Sequence, residues 1–179
     1  ADTSKYQFAA DITLGSLSHP LVLENNVWLK YKFKLDSAVA IADYAFAGCS
    51  SLTGVTLSEN IQSIGMYAFA SNSSLRTLTI KAPIYKIGKY AFYACRNLRE
   101  VNMPYVTELG EAAFADCYAL TTLRADNLEI VGKKAFAPTQ QNATSGATFS
   151  TVYMPKLRIV DDHAFYGCIK LTEIDLTNV

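Results

Sequence analysis

The sequence predicts an α/β solenoid: a right-handed superhelix of stacked coils, with one parallel sheet of about seven short strands and short helical turns opposite. Three observations carry this prediction. A six-residue segment recurs with small changes, as YAFAGC at 44–49, YAFASN at 67–72, YAFYAC at 90–95, AAFADC at 112–117 and HAFYGC at 163–168. The Phe of each Ala-Phe pair falls at Phe46, Phe69, Phe92, Phe114, Phe136 and Phe165, in steps of 23, 23, 22, 22 and 29 residues. After each Phe comes an apolar-polar-apolar triplet, the period-two signature of a half-buried strand.

Each part of the repeat has a place in a coil. An aliphatic precedes the Phe by five residues at Ile41, Ile64, Ile87, Leu109, Val131 and Val160. Leu52, Leu75, Leu98, Leu120, Phe149 and Leu171 open the strand half, and the pairs Val55/Leu57, Leu78/Ile80, Val101/Met103, Leu123/Ala125, Val152/Met154 and Ile174/Leu176 are its inward residues. A last aliphatic follows at Ile61, Ile84, Val106, Leu128 and Leu157. Between aliphatic and Leu the apolar spacing is three to five, which suits a helical turn. A unit of 22 residues cannot enclose a core alone, but stacked units cover one another's open sides. Gly65, Gly88, Gly110 and Gly132 follow the aliphatic, where a tight turn or close approach favours glycine; Ala42 and Asp161 replace it elsewhere, so positive φ is not required there. The written pattern L-x-x-L-x-L is the strand half of a leucine-rich repeat.

The stretch IGKYAFYACRNLREVNMP at 87–104 closely resembles the repeat of the bacterial surface-protein, or BspA-like, leucine-rich repeat family. The resemblance runs from about Phe33 to Val179. Departures are Asn72 at the Cys position, an interrupted fifth coil, and Pro kept after only some strands, at Pro104 and Pro155. It implies an extracellular or cell-surface recognition or adhesion role, with a host or cell-surface protein or glycan as partner.

Residues 1–30 read as an N-terminal capping β segment and 31–179 as the solenoid. In the cap, Tyr6, Phe8, Ala10, Ile12 and Leu14 alternate with mostly polar residues, and 21–33 reads as a hairpin with Trp28 covering the first coil. Phe33, Leu35 and Ala38 fit a seventh strand opening the stack. Leu176 to Val179 stops in mid-repeat, which reads as truncation, with the uncapped end as an alternative contact for a partner. The polar stretch 138–148 carries the seven surplus residues of the long step and is expected to leave the stack as an exposed loop.

Bulk properties narrow the function. There are 16 basic and 16 acidic side chains in 179 residues, so no basic footprint marks a nucleic-acid partner. No apolar run reaches the ~18 residues that span a bilayer. The start, Ala1-Asp2-Thr3-Ser4, carries no secretion signal, which reads either as a cytosolic protein or as a signal removed before this chain begins.

Candidate chemistry is sparse. Cys49, Cys95, Cys117 and Cys168 share one repeat position, match no zinc spacing, and are expected as four buried free thiols acting as small hydrophobes. Asp161, Asp162 and His163 adjoin, but His163 takes the place of Tyr44, Tyr67, Tyr90, Ala112 and Lys134, an outward variable position. His19 stands alone before Pro20, and no nucleophile has a base to pair with. No cofactor, metal or catalytic residue is therefore expected. Asn72 and Asn142 head sequons that would mark surface in a secreted eukaryotic chain. Binding is expected on the strand face, whose middle column is Lys34, Thr56, Thr79, Asn102, Arg124, Tyr153 and Asp175. Arg124, Tyr153, Asp175, Asn102, Glu100, Glu173 and Asp126 are the candidate ligand-binding residues, with the 137–148 loop as one wall. The expected function is a non-enzymatic module; the alternatives are a structural spacer of a larger surface protein and, behind it, a glycan-active enzyme.

Overall fold

A computed structural model of the chain describes residues 11–14, 34–35, 40–57, 59–140 and 145–179. It is a solenoid of stacked coils whose strands all pair in parallel. The long-strand sheet contains β1 (Asp11–Leu14), β2 (Lys34–Leu35), β4 (Gly54–Leu57), β6 (Thr77–Ile80), β8 (Glu100–Asn102) and β10 (Thr122–Arg124), in the order β10-β8-β6-β4-β1-β2. Beyond β10 the coils continue through single bridges, Arg124 with Tyr153 and Thr151 with Glu173.

A second sheet stands where the sequence offered none. It is built from two-residue strands, β3 (Ala40–Ile41), β5 (Ser63–Ile64), β7 (Lys86–Ile87), β9 (Glu108–Leu109), β11 (Ile130–Val131) and β12 (Ile159–Val160). The expected single sheet of about seven strands is thus corrected, among the described residues, to two sheets of six. Each short strand carries one inward aliphatic, the residue five before the Phe.

The expected helical turns are also corrected: the described residues contain no α-helix. The Tyr-Ala-Phe arc alternates backbone handedness instead. Tyr44, Tyr67, Tyr90, Ala112, Lys134 and His163 have φ between 52° and 59°, and two residues beyond the Phe the chain is left-handed again at Gly48, Ser71, Ala94, Asp116 and Gly167. The reversals send alternate N–H groups along the solenoid axis. Tyr90 N donates to Glu111 O, Phe92 N to Ala113 O and Ala94 N to Ala115 O, at 2.8–2.9 Å. The amides between them close turns within the coil, as Ala91 N does on Gly88 O. Seven residues are too few to repay helix nucleation. Cross-coil bonds satisfy the same groups and join the coils, against a left-handed cost of about 1–2 kcal/mol per residue.

The core follows the expected register. All five Phe from Phe46 to Phe136 are buried, and their rings stack face to face at 5.1–5.9 Å. Phe165 continues the stack on Phe136 at 5.4 Å but is only half-buried. In the last coil Leu171 and Ile174 are partly buried and Leu176 is exposed. The repeated glycines serve close approach. A Cβ on Gly88 would lie 2.6 Å from Ile64 O and 2.7 Å from Gly65 O, with φ outside the left-handed region.

The cysteine position also has a physical role. All four thiols are free and buried. Cys95 Sγ donates to Phe69 O and Cys117 Sγ to Phe92 O, both at 3.2 Å. Asn72 does the same with its amide, donating to Phe46 O at 2.9 Å and Phe69 O at 2.6 Å. Asn72 is fully buried, a core hydrogen-bonding residue. Asn142 lies outside the described residues.

At the N-terminal end, β1 fits the alternation at Ile12 and Leu14. It lies between β2 and β4, in register Thr13 with both Lys34 and Thr56. The strand at 34–35 is therefore at the sheet's edge rather than directly beside the next coil. The expected hairpin and Trp28 lie outside the described residues.

Candidate functional site

The strand face presents one continuous middle row. Parallel pairing aligns Thr56, Thr79, Asn102 and Arg124, and the Arg124 bridge adds Tyr153. The bridge of Thr151 to Glu173 sets the register that places Asp175 after Tyr153. The row changes character along the axis, from half-buried threonines to exposed, chemically varied side chains. Tyr153 is 70 % exposed, and Arg124 holds Asp126 through Nε to Oδ2 at 2.9 Å. Asn102 is half-buried, with its Oδ1 buried and unpartnered. Asp175 accepts from the Thr177 hydroxyl and backbone N–H, which hold its carboxyl below the usual range. Glu100 pairs in register with Thr122 on one flank, and Glu173 occupies the same flank three coils on from Glu100. Five of the seven candidate residues, Asn102, Arg124, Asp126, Tyr153 and Asp175, thus form one contiguous group, with the two glutamates flanking it.

The described ends of the insertion are held at its base. Asp116, 1 % exposed, accepts from Thr139 N at 2.7 Å, Thr139 Oγ1 at 2.5 Å and Tyr118 OH at 2.9 Å. Tyr93 OH lies 3.3 Å from Thr139 Oγ1. Burial, with this carboxylate beside it, pushes the Tyr118 hydroxyl up to about 12. On the return, Gly146 N donates to Gly167 O at 2.6 Å. Ala147 N reaches Phe136 O at 3.3 Å, as a Cys N–H does in other coils. Pro138, Gly146 and Ala147 are buried, so the base of the insertion is part of the packed turn arc. From Phe149 the chain enters the strand carrying Tyr153.

His163 is exposed and meets Tyr166 edge-on at 5.7 Å, while Asp162 lies 4.0 Å from Lys133. These groups do not converge with Asp161. The position they share is not uniformly outward, since Ala112 is 1 % exposed. In the same column Tyr44, Tyr67 and Tyr90 stack outside the core at 5.0 and 4.7 Å. Among the described residues no three His, Cys, Asp or Glu side chains gather as a metal-binding group.

Sequence reasoning passed over the corner joining the two sheets. Tyr85 and Tyr105 are 71 % and 52 % exposed there, and further along a cleft is lined by Glu129, Lys156, Arg158 and Asn178. The available signal was two tyrosines flanking the aliphatics Ile84 and Val106, at positions the core has no use for.

Stacked coils of 22–23 residues with an L-x-x-L-x-L strand half define a leucine-rich repeat protein. The family model for the BspA type leucine rich repeat region matches residues 29–144 and 140–179, in six copies, and the chain belongs to that family. Two solved structures share the fold. A leucine-rich repeat protein of T. pallidum aligns with TM-score 0.64 and 24 % identity, over 80 % of this chain and 65 % of that one. A leucine-rich cell surface protein of Faecalibacterium prausnitzii A2-165 aligns with TM-score 0.54 and 22 % identity, over 92 % and 46 %. This chain therefore spans 65 % and 46 % of the lengths of these relatives. Among curated proteins none matches the chain.

Proposed function

We propose that this domain is a non-enzymatic recognition module acting outside the cell or on its surface, which binds a protein or glycan through the outer face of the long-strand sheet. The observation that carries the reading is Tyr153, 70 % exposed and in register with Arg124. Tyr and Arg are the residue types that concentrate binding energy at interfaces, and neither contributes here to the core. Asn102 stands half-buried beside them, and Asp126 and Asp175 supply flanking charge. The insertion supports the reading because it leads directly into this strand, and insertions in repeat proteins often gather on a binding face. The structurally similar F. prausnitzii protein is a cell surface protein, which supports the proposed location.

The test is a screen of the domain against immobilised matrix proteins and glycans, repeated with Tyr153→Ala and Arg124→Ala. The reading expects at least one ligand whose binding falls about tenfold or more in each variant, the loss typical of a hot spot. A panel that binds nothing would favour a spacer role.

A further inference from the structure

The corner between the two sheets carries two parallel columns of side chains. In one, Tyr105, Asn127 and Lys156 occupy the same position in successive coils. Asn127 Nδ2 donates to Pro104 O at 2.6 Å, and Lys156 Nζ reaches Asn127 Oδ1 at 2.5 Å. In the other, Tyr85, Thr107, Glu129 and Arg158 succeed one another through backbone bonds. Thr107 N donates to Tyr85 O, Glu129 N to Thr107 O and Arg158 N to Glu129 O, each at 2.9 Å. The first column spans three coils and the second four, the latter about 14 Å at the ~4.8 Å strand spacing. At their far end Glu129, Lys156, Arg158 and Asn178 line an open surface cleft.

The charges in this cleft are unequal. Arg158 Nη1 pairs with Glu129 Oε2 at 3.4 Å, and Lys156 is met by a neutral amide oxygen. Two cations less one carboxylate leaves one positive charge. An incoming carboxylate finds the Lys156 ammonium and the guanidinium donors that Glu129 leaves free, in the planar geometry that suits a carboxylate. At the near end, Tyr85 and Tyr105 are highly exposed, and neither ring stacks on another ring of the described residues. Exposed aromatic side chains, a side-chain amide and a fixed cation along one corner form a surface for a chain of sugar rings.

We propose that this corner binds a carboxylate-bearing oligosaccharide, with the acid group at Lys156 and Arg158 and the neighbouring rings against Tyr105 and Tyr85. It is a site separate from the strand face, and neither depends on the other.

Oligogalacturonate and its methyl ester share one sugar skeleton and differ in charge, so they are the probes, with a Glu-rich peptide as the third. Titration followed by calorimetry or NMR should show the acid binding and the ester binding at least about tenfold more weakly, the change expected for loss of a charge-assisted contact. The double variant Lys156→Gln/Arg158→Gln should lose binding to a similar degree, and Tyr85→Ala should weaken it severalfold, all with unchanged thermal melting. Equal binding of acid and ester, equal binding of the peptide, or retention of affinity in both variants would each overturn the proposal.

Discussion

Phe92 is the middle ring of the core stack, and replacing it by alanine tests the packing most sharply. Its ring is fully buried between Phe69 at 5.2 Å and Phe114 at 5.1 Å, with interplanar angles of 1° and 5°. A buried Phe→Ala change costs about 3–5 kcal/mol. Losing two stacked neighbours, at about 0.5–1.5 kcal/mol each beyond area burial, puts Phe92→Ala at the upper end of that range. For a chain of this length each kcal/mol moves the midpoint by about 2–4 °C, so a drop on the order of 10–20 °C is expected. Phe165→Ala is the internal comparison. That ring holds the same repeat position but is half-buried, with one stacked neighbour, Phe136, and an edge contact to Phe149. It should cost about 1–2 kcal/mol, below the figure for full burial. Thermal melting of both variants by circular dichroism reads the difference, and urea unfolding of Phe92→Ala should show a reduced m-value if the stack separates at the gap. Equal midpoints for the two variants, or a Phe92→Ala midpoint within a degree or two of the parent, would refute the ring-stack account.

Three other expectations follow from named contacts. Gly88→Ala should destabilise by about 1–3 kcal/mol through overpacking, because the obstructing atoms at 2.6 and 2.7 Å are backbone; chemical denaturation measures it, and a neutral result would show that the coils can separate freely. Burial pushes the Cys49 and Cys95 thiols up to about 12 and Cys168 to about 11 from an ordinary 9.0, and raises Cys117 as well. Native protein at pH 8 should therefore resist a thiol reagent while denatured protein titrates four thiols. Since the folded values are raised, their stabilising effect is complete below pH 9 and is lost as pH climbs toward 12; the melting midpoint should fall across that window, less steeply in Cys95→Ala. Asp116→Asn should cost about 1–3 kcal/mol by weakening the clamp on Thr139, and hydrogen exchange at the Thr139 amide should rise; unchanged exchange would mean that the insertion is held elsewhere.

The inward residues were legible because a recurring strand has period two and a recurring ring has one address. The positions of Val55, Leu78, Val101 and Leu123 followed from spacing alone, and all four are buried. The arc was not legible. Tyr67, Tyr90, Ala112 and Lys134 are left-handed, yet none belongs to the residue types enriched there. Their conformation comes from hydrogen bonds between coils, which one coil's sequence does not state. Strands such as Ser63–Ile64 are too short to show alternation, so the second sheet left no periodic trace. Ile12 and Leu14 announced a strand but not its neighbours, because alternation specifies a face and not a place in the sheet order. For the binding surface, period two placed Arg124 and Tyr153 side by side. It gave no sign of the corner, whose columns belong to residues between the strands.

The claim that the long-strand sheet is a recognition face rests on Tyr153 and Arg124. It is tested most directly by comparing the parent domain with Tyr153→Ala/Arg124→Ala on the ligand that emerges from a matrix-protein and glycan panel, with melting measured in parallel. Both side chains are exposed, so the midpoint should stay within a degree or two while affinity falls by about tenfold or more. Undiminished affinity in a fully folded double variant would contradict the claim.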